Sequence, residues 1–157
     1  MKIAVVCYSY TGTTKKYVEL LQEKIGCDVI YIKPVKEIKS KGFASYFAGG
    51  IKVMMNETPE LVDYSFDQNE YDYIILSTPV WAYTYAPAMK AFMLKEQITG
   101  KKVSYLMTHR GDPRKAMEKF AEALSKNDVV KGLDLNAKDS EVVNTNKLDA
   151  WISQLGL

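Results

Sequence analysis

The chain has few of the residues that metals and disulfides require: two cysteines and one histidine in 157 positions. Cys7 and Cys27 form no C-x-x-C pair, so neither a structural zinc site nor a dithiol redox motif is expected. An excess of one charge is lacking too. Twenty-one lysines and arginines against nineteen acids leave a formal net charge of +2. That is too mild for the concentrated basic face of a nucleic-acid binder. No apolar run reaches the roughly 18 residues that span a bilayer. The first apolar segment, "IAVVCYSY", follows a single Lys2 and meets no small-residue cleavage site. It reads as a core strand and not as a secretory signal. A cytoplasmic protein that engages neither nucleic acid nor membrane is the expectation.

What remains is ordinary globular material, with 47% hydrophobic and 25% charged residues. A chain of this length can bury a core as one domain, taken as 1–157. Ile3 to Tyr8 is a continuous apolar run, as expected of a strand covered on both faces. Tyr17, Val18, Leu21 and Ile25 recur at helical spacing, and Gly26 suits the helix end. Asp28 to Lys33, Tyr73 to Ser77, Val103 to Thr108 and Val129 to Leu135 read as four more strands. Between the second and third, Phe43, Tyr46, Phe47, Ile51 and Met54 share one face of a helix expected over 42–55, and 59–69 reads as loop. Pro87 opens a helix to Gln97. Met117, Phe120 and Leu124 mark another, and Leu148, Trp151 and Leu155 a closing one. "KPVKEIKSK", Lys33 to Lys41, holds four lysines against one glutamate and reads as a solvated loop able to meet an acidic partner.

Strands alternating with helices predict an α/β doubly wound sandwich: a five-stranded parallel sheet of order 2-1-3-4-5 with helices on both faces. In such sheets the ligand lies beyond the carboxyl ends of the strands at the topological switch point, here between strands one and three. Three segments converge there.

The first is "SYTGTT", Ser9 to Thr14, five hydroxyls around one glycine at a strand-to-helix turn. Helix N-termini hold anions through unpaired N–H groups, and glycine lets the backbone approach. No G-K-[ST] follows and no G-x-G-x-x-G is present, so neither a triphosphate nor a dinucleotide loop fits. A phosphate monoester held without metal does; a plain Ser/Thr-capped turn is the alternative. The second is "STPVWAYTYAPAM", Ser77 to Met89, whose Trp81, Tyr83 and Tyr85 offer a platform for a flat ligand. The third is "THRGDPRK", Thr108 to Lys115, where Arg110 can set positive charge at the ligand's electron-accepting end. His109 has no acid–base partner near it in sequence and reads as a solvated loop residue.

Together these loops resemble the flavodoxin family. "SYTGTT" matches its [ST]-x-T-G-x-T phosphate loop at every defined position, and "TPVWAYTYAPAM" resembles the TPVW–APxM segment of its short bacterial members. The resemblance spans essentially the whole chain. It implies a flavodoxin-like fold and tightly, noncovalently bound FMN. Phosphate would lie on Ser9, Tyr10, Thr11, Gly12, Thr13 and Thr14. The ring would lie between Thr78, Pro79, Val80, Trp81, Ala82 and Tyr83 on one side and His109, Arg110, Gly111 and Asp112 on the other, with Trp81 stacked on one face. Two departures stand out: electron-carrier flavodoxins are acidic, and they often cover the outer ring face with a tyrosine that "THRGDP" lacks.

The expectation is an electron-transfer flavoprotein, a monomer or weak dimer, with no protein nucleophile and no metal. Its partners would be redox proteins or NAD(P)H. An NAD(P)H-dependent quinone or flavin reductase using the same FMN site is the alternative. A non-flavin signalling module of the same topology is remote, because it would need aspartates where "SYTGTT" and "LSTPVW" stand.

Overall fold

Strand β1 (Ile3–Cys7) is buried at every residue, and its side chains divide strictly by parity. Ala4, Val6 and Tyr8 point into one apolar layer, and Ile3, Val5 and Cys7 into the other. A continuous hydrophobic run thus serves two cores, as a central parallel strand requires. The structure, a computed structural model, describes residues 1–37, 50–51 and 56–157. The helix expected over 42–55 lies outside the described residues apart from Gly50 and Ile51, both helical.

Chain order continues with α1 (Thr13–Ile25), β2 (Asp28–Tyr31), a 3-10 turn (Gln68–Glu70), β3 (Tyr73–Trp81), β4 (Thr84–Tyr85) and α2 (Pro87–Glu96). Then come β5 (Lys102–His109), α3 (Arg114–Ala123), β6 (Asp128–Asn136) and α4 (Glu141–Leu155). The parallel sheet runs β2-β1-β3-β5-β6, which is the expected 2-1-3-4-5 order of five long strands. The short β4 is an addition, antiparallel to β3. Helices α1 and α4 cover one face through Tyr17, Val18, Leu21, Leu148, Trp151 and Ile152. Helices α2 and α3 cover the other through Met89, Phe92, Ala116 and Phe120. No helix among the described residues is long and apolar enough to cross a membrane.

Two local departures shape the carboxyl edge of the sheet. The third strand, expected to stop at Ser77, runs on to Trp81. Tyr8 N–H donates to Ser77 O, so odd-numbered residues of β3 turn their backbone toward β1. Pro79 therefore stands where an N–H would have donated to Tyr8 O, and the β1–β3 ladder ends with the Tyr8–Ser77 bond. The second departure is a bulge in β6. Val103 pairs with Val129 but Tyr105 with Gly132, so β6 carries one extra residue between them. The insertion reverses the alternation. Leu133 and Leu135 pack beneath α1 and α4, while Asp134 joins the opposite face. Trp151 Nε1 donates to Lys131 O within the bulge at 3.0 Å.

Candidate functional site

The turn from β1 into α1 is built on Gly12, whose φ of +93° lies in the left-handed region that glycine tolerates best. Gly12 is also the N-cap of α1. No side chain caps the first turn, and no acidic residue stands in it. The alternative of a Ser/Thr-capped turn is therefore overturned: the hydroxyls are deployed elsewhere. Thr11 Oγ1 lies 3.2 Å from Thr13 Oγ1. Thr14 Oγ1 lies 2.7 Å from Thr108 Oγ1 at the end of β5. Ser9 Oγ is buried without a partner. The start of α1 thus presents open N–H groups, the positive end of the helix dipole and an orphaned hydroxyl in one turn. An acceptor-rich dianion satisfies all three, so the residues fit a phosphate group.

Beside this turn, one cleft is lined by Tyr10, Thr11, Thr13 and Thr14 from the first loop, Pro79, Val80 and Trp81 from β3, and Thr108, His109, Arg110 and Ala137. Trp81 is fixed edge-on between two tyrosines. Its ring centroid lies 5.8 Å from Tyr8 at 81° and 5.7 Å from Tyr10 at 84°. Tyr8 is in turn anchored by donating to both Glu37 carboxylate oxygens at 3.1 and 3.2 Å. Burial, reinforced by the Glu37 charge, pushes its phenol well above the ordinary value. The indole is therefore a preset platform.

What looked like an exposed loop after β3 is a two-residue hairpin. Val80 pairs with Tyr85 and Trp81 with Thr84, and the central Ala82 and Tyr83 have φ of +44° and +62°. Such tight turns normally take Asn-Gly, so two non-glycine residues here store backbone strain. Tyr83 stands 62% exposed at the tip. Neither it nor Ala82 lines the cleft. Tyr85 does not line the cleft either; half-buried, it packs against the core with its ring 4.9 Å from Phe120. Thr78 Oγ1 accepts from Ala86 N–H and donates to Pro79 O, which staples the hairpin.

The third segment corrects the reading of His109. It is the last residue of β5, 8% exposed, and its Nε2 lies 3.1 Å from Asp134 Oδ2. The β6 bulge supplied that partner, and no sequence neighbour could have revealed it. Arg110 is exposed at the rim. Asp112 turns to Arg114, meeting its Nε at 3.0 Å and its Nη2 at 2.6 Å. Those bonds hold the Asp112 carboxyl down at about 2. Neither Asp112 nor Gly111 lines the cleft. Thr108 and Ala137 do, although the motifs did not single them out. Thr108 lay inside "THRGDPRK", whereas the segment after the last strand carried no motif at all.

Chemically, the cleft offers an anion anchor, an aromatic wall and a cationic rim, with no nucleophile paired to a base among the described residues. Both thiols lie elsewhere in the core, and burial pushes Cys7 up to about 12 and Cys27 to about 11.

A family model described as Flavodoxin matches residues 2–155. No curated protein sequence matches the chain. Among solved structures, a flavoprotein in complex with FMN from Lactobacillus acidophilus NCFM aligns over 96% of this chain and 97% of its own, at 20% identity and a TM-score of 0.77. Flavodoxin bound to flavin mononucleotide from Fusobacterium nucleatum aligns over 99% and 96%, at 15% identity and a TM-score of 0.63. Two-electron reduced flavodoxin from Megasphaera elsdenii aligns over 93% and 94%, at 10% identity and a TM-score of 0.59. At such identities the likeness carries the fold.

Proposed function

The chain belongs to the flavodoxin family, and from that premise we propose that it is an FMN-binding flavoprotein that passes electrons between redox partners. The observation that carries the reading is the start of α1. Its first turn is left without a side-chain cap, beside the partnerless Ser9 Oγ and within one cleft with the fixed Trp81 ring. Bound FMN would supply the electron chemistry itself.

The protein's own residues then have separable tasks. Ser9 Oγ, the hydroxyls of Thr11, Thr13 and Thr14, and the N–H groups of the first turn would hold the phosphate without metal. Gly12 keeps that approach open, since the place a β-carbon would take meets no protein atom within 4 Å. Trp81 would cover one ring face and exclude water from it. Arg110 at the rim would favour negative charge on the ligand.

A second reading has a specific basis in the third loop. "THRGDP" brings no aromatic residue to the cleft, and a ring face left uncovered on that side would be open to hydride transfer from a nicotinamide. That is the NAD(P)H-dependent quinone or flavin reductase. The carrier is preferred because, among the described residues lining the cleft, only Arg110 carries a fixed charge that would engage a dinucleotide. Reduction of the FMN-loaded protein, followed in the visible spectrum, separates them. The carrier is reduced by a protein or chemical donor and stays oxidised for minutes with NADH or NADPH. Rapid bleaching by either nucleotide would establish the reductase, and failure to retain FMN would refute both.

A further inference from the structure

His109 is the chain's one histidine, and electron transfer by a bound flavin leaves it without a task. Its surroundings are specific. Met107 pairs with Asp134 and His109 with Asn136, so His109 and Asp134 are diagonal neighbours on one face of the sheet. A carboxylate only accepts, so the Nε2–Oδ2 contact places a hydrogen on Nε2. That leaves Nδ1, which is closed to solvent and has no partner. The side chain is 6% exposed and stands in the wall of the cleft. A buried ring nitrogen with nothing to bond is costly, and a ligand site is where such a cost is repaid.

We propose that His109 is the proton-accepting wall of this site: filling of the cleft draws a proton from solvent onto Nδ1, while Asp134 holds the ring and balances its charge. The inference rests on the FMN reading. An oxidised isoalloxazine edge presents carbonyl oxygens and unprotonated ring nitrogens, acceptors all, beside a single N–H. A neutral imidazole would turn a lone pair toward them; an imidazolium donates from both nitrogens. The phosphate adds negative charge to the same cleft. One N–H bond forms at Nδ1, a buffer acid loses the proton, and no electrons move.

Among the described residues, the charged groups around His109 are few. Asp134 lies on β6; Arg110 and the Asp112–Arg114 pair lie in the turn after β5 and at the start of α3. Lys138 follows Ala137 beyond β6, and Tyr10 stands across the cleft. The Asp112–Arg114 pair cancels, which among the described residues leaves Asp134 and the ligand against Arg110, with Lys138 further along the turn after β6. Asp134 acts through His109 and is a positioning residue.

A single histidine makes the test direct. Nitrogen-15 resonances of the imidazole, followed over pH 5–9, report which ring nitrogen is protonated. With FMN added, the titration midpoint is expected to rise by about one unit, equivalent to about tenfold tighter binding to the protonated protein. The Kd for FMN, read by flavin fluorescence, should weaken by the same factor as pH rises through that window. His109→Gln should remove that part of the pH dependence. Asp134→Asn should lower the midpoint both with and without FMN. A midpoint unmoved by FMN in a protein whose fluorescence titration shows binding overturns the proposal alone, as does a pH dependence in His109→Gln identical to that of the unaltered chain, since the FMN phosphate contributes its own ionisation at about pH 6 to both. Absence of any FMN binding overturns the proposal together with the reading beneath it.

Discussion

Thr14 Oγ1 and Thr108 Oγ1 meet at 2.7 Å, joining the first turn of α1 to the end of β5 across 94 positions of sequence. One hydroxyl donates to the other, so one hydrogen of the pair is left for a ligand. Thr108→Val should cost about 1–2 kcal/mol of stability, because the buried Thr14 hydroxyl loses its partner. The double variant with Thr14→Val should cost less than the sum of the singles, by about 1 kcal/mol. Denaturant unfolding of the three variants measures this. Strict additivity would mean that the two hydroxyls do not interact.

Gly12 carries a positive φ in open space, so a methyl group there strains the backbone without striking the protein. Gly12→Ala should lower stability by only about 1 kcal/mol. Its effect on FMN should be larger, because the β-carbon enters the path of the anion. Combined with Thr11→Ala, Gly12→Val should abolish FMN retention in a protein that keeps its circular dichroism. Undiminished binding by that pair would place the phosphate elsewhere.

Trp81 is held edge-on by Tyr8 and Tyr10 before any ligand arrives. Trp81→Ala should weaken FMN by roughly 1–3 kcal/mol, the scale of a base stacked on an aromatic side chain. Tyr10→Ala should cost less, since it removes one of the two supports of the ring and leaves the ring itself. A dissociation constant unchanged in Trp81→Ala would assign that indole to the core.

Gly132 exists for Tyr105. A β-carbon at 132 would sit 2.2 Å from Tyr105 Cε2, and the ring cannot retreat. Its hydroxyl donates to Met117 O at 3.2 Å, and Phe120 packs 5.1 Å away. Gly132→Ala should therefore destabilise by about 1–3 kcal/mol through overpacking. Tm should fall by about 2–4 °C for each kcal/mol. Tyr105→Leu in the same background should recover part of the loss. A neutral Gly132→Ala would show that β6 shifts freely.

How much of this could be read from the amino acids follows a physical line. Strand order, the placement of helices α1 to α4 and the Gly12 turn were legible, because apolar periodicity and a strand-to-helix glycine are local signals. Trp81 was legible as an aromatic at the ligand edge, but its hairpin was not. Pro79 argues against a strand, and it does end the ladder with β1, while β3 continues through its pairing with β5 and β4; Ala82-Tyr83 lacks the Asn-Gly signature of the turn it makes. Tyr85 looked like a site aromatic because core and cleft aromatics carry the same sequence signal; only its contact with Phe120 separates them. Thr78 was assigned to the ligand by resemblance, and its hydroxyl is spent on Ala86 and Pro79. Hardest of all was His109, whose partner depends on one inserted residue in β6. Strict alternation from Val129 would turn Asp134 to the other face, so the pair is created by a bulge that "VVKGLD" does not announce.

The central claim is that the start of α1 anchors the phosphate of FMN, and riboflavin, which differs only in lacking that phosphate, tests it most directly. Both ligands are titrated into the protein and followed by quenching of flavin fluorescence. Two or more charge-assisted hydrogen bonds at about 1.5–3 kcal/mol each should make FMN at least about a hundredfold tighter than riboflavin. Equal affinities for the two, or quenching of neither, would contradict the account.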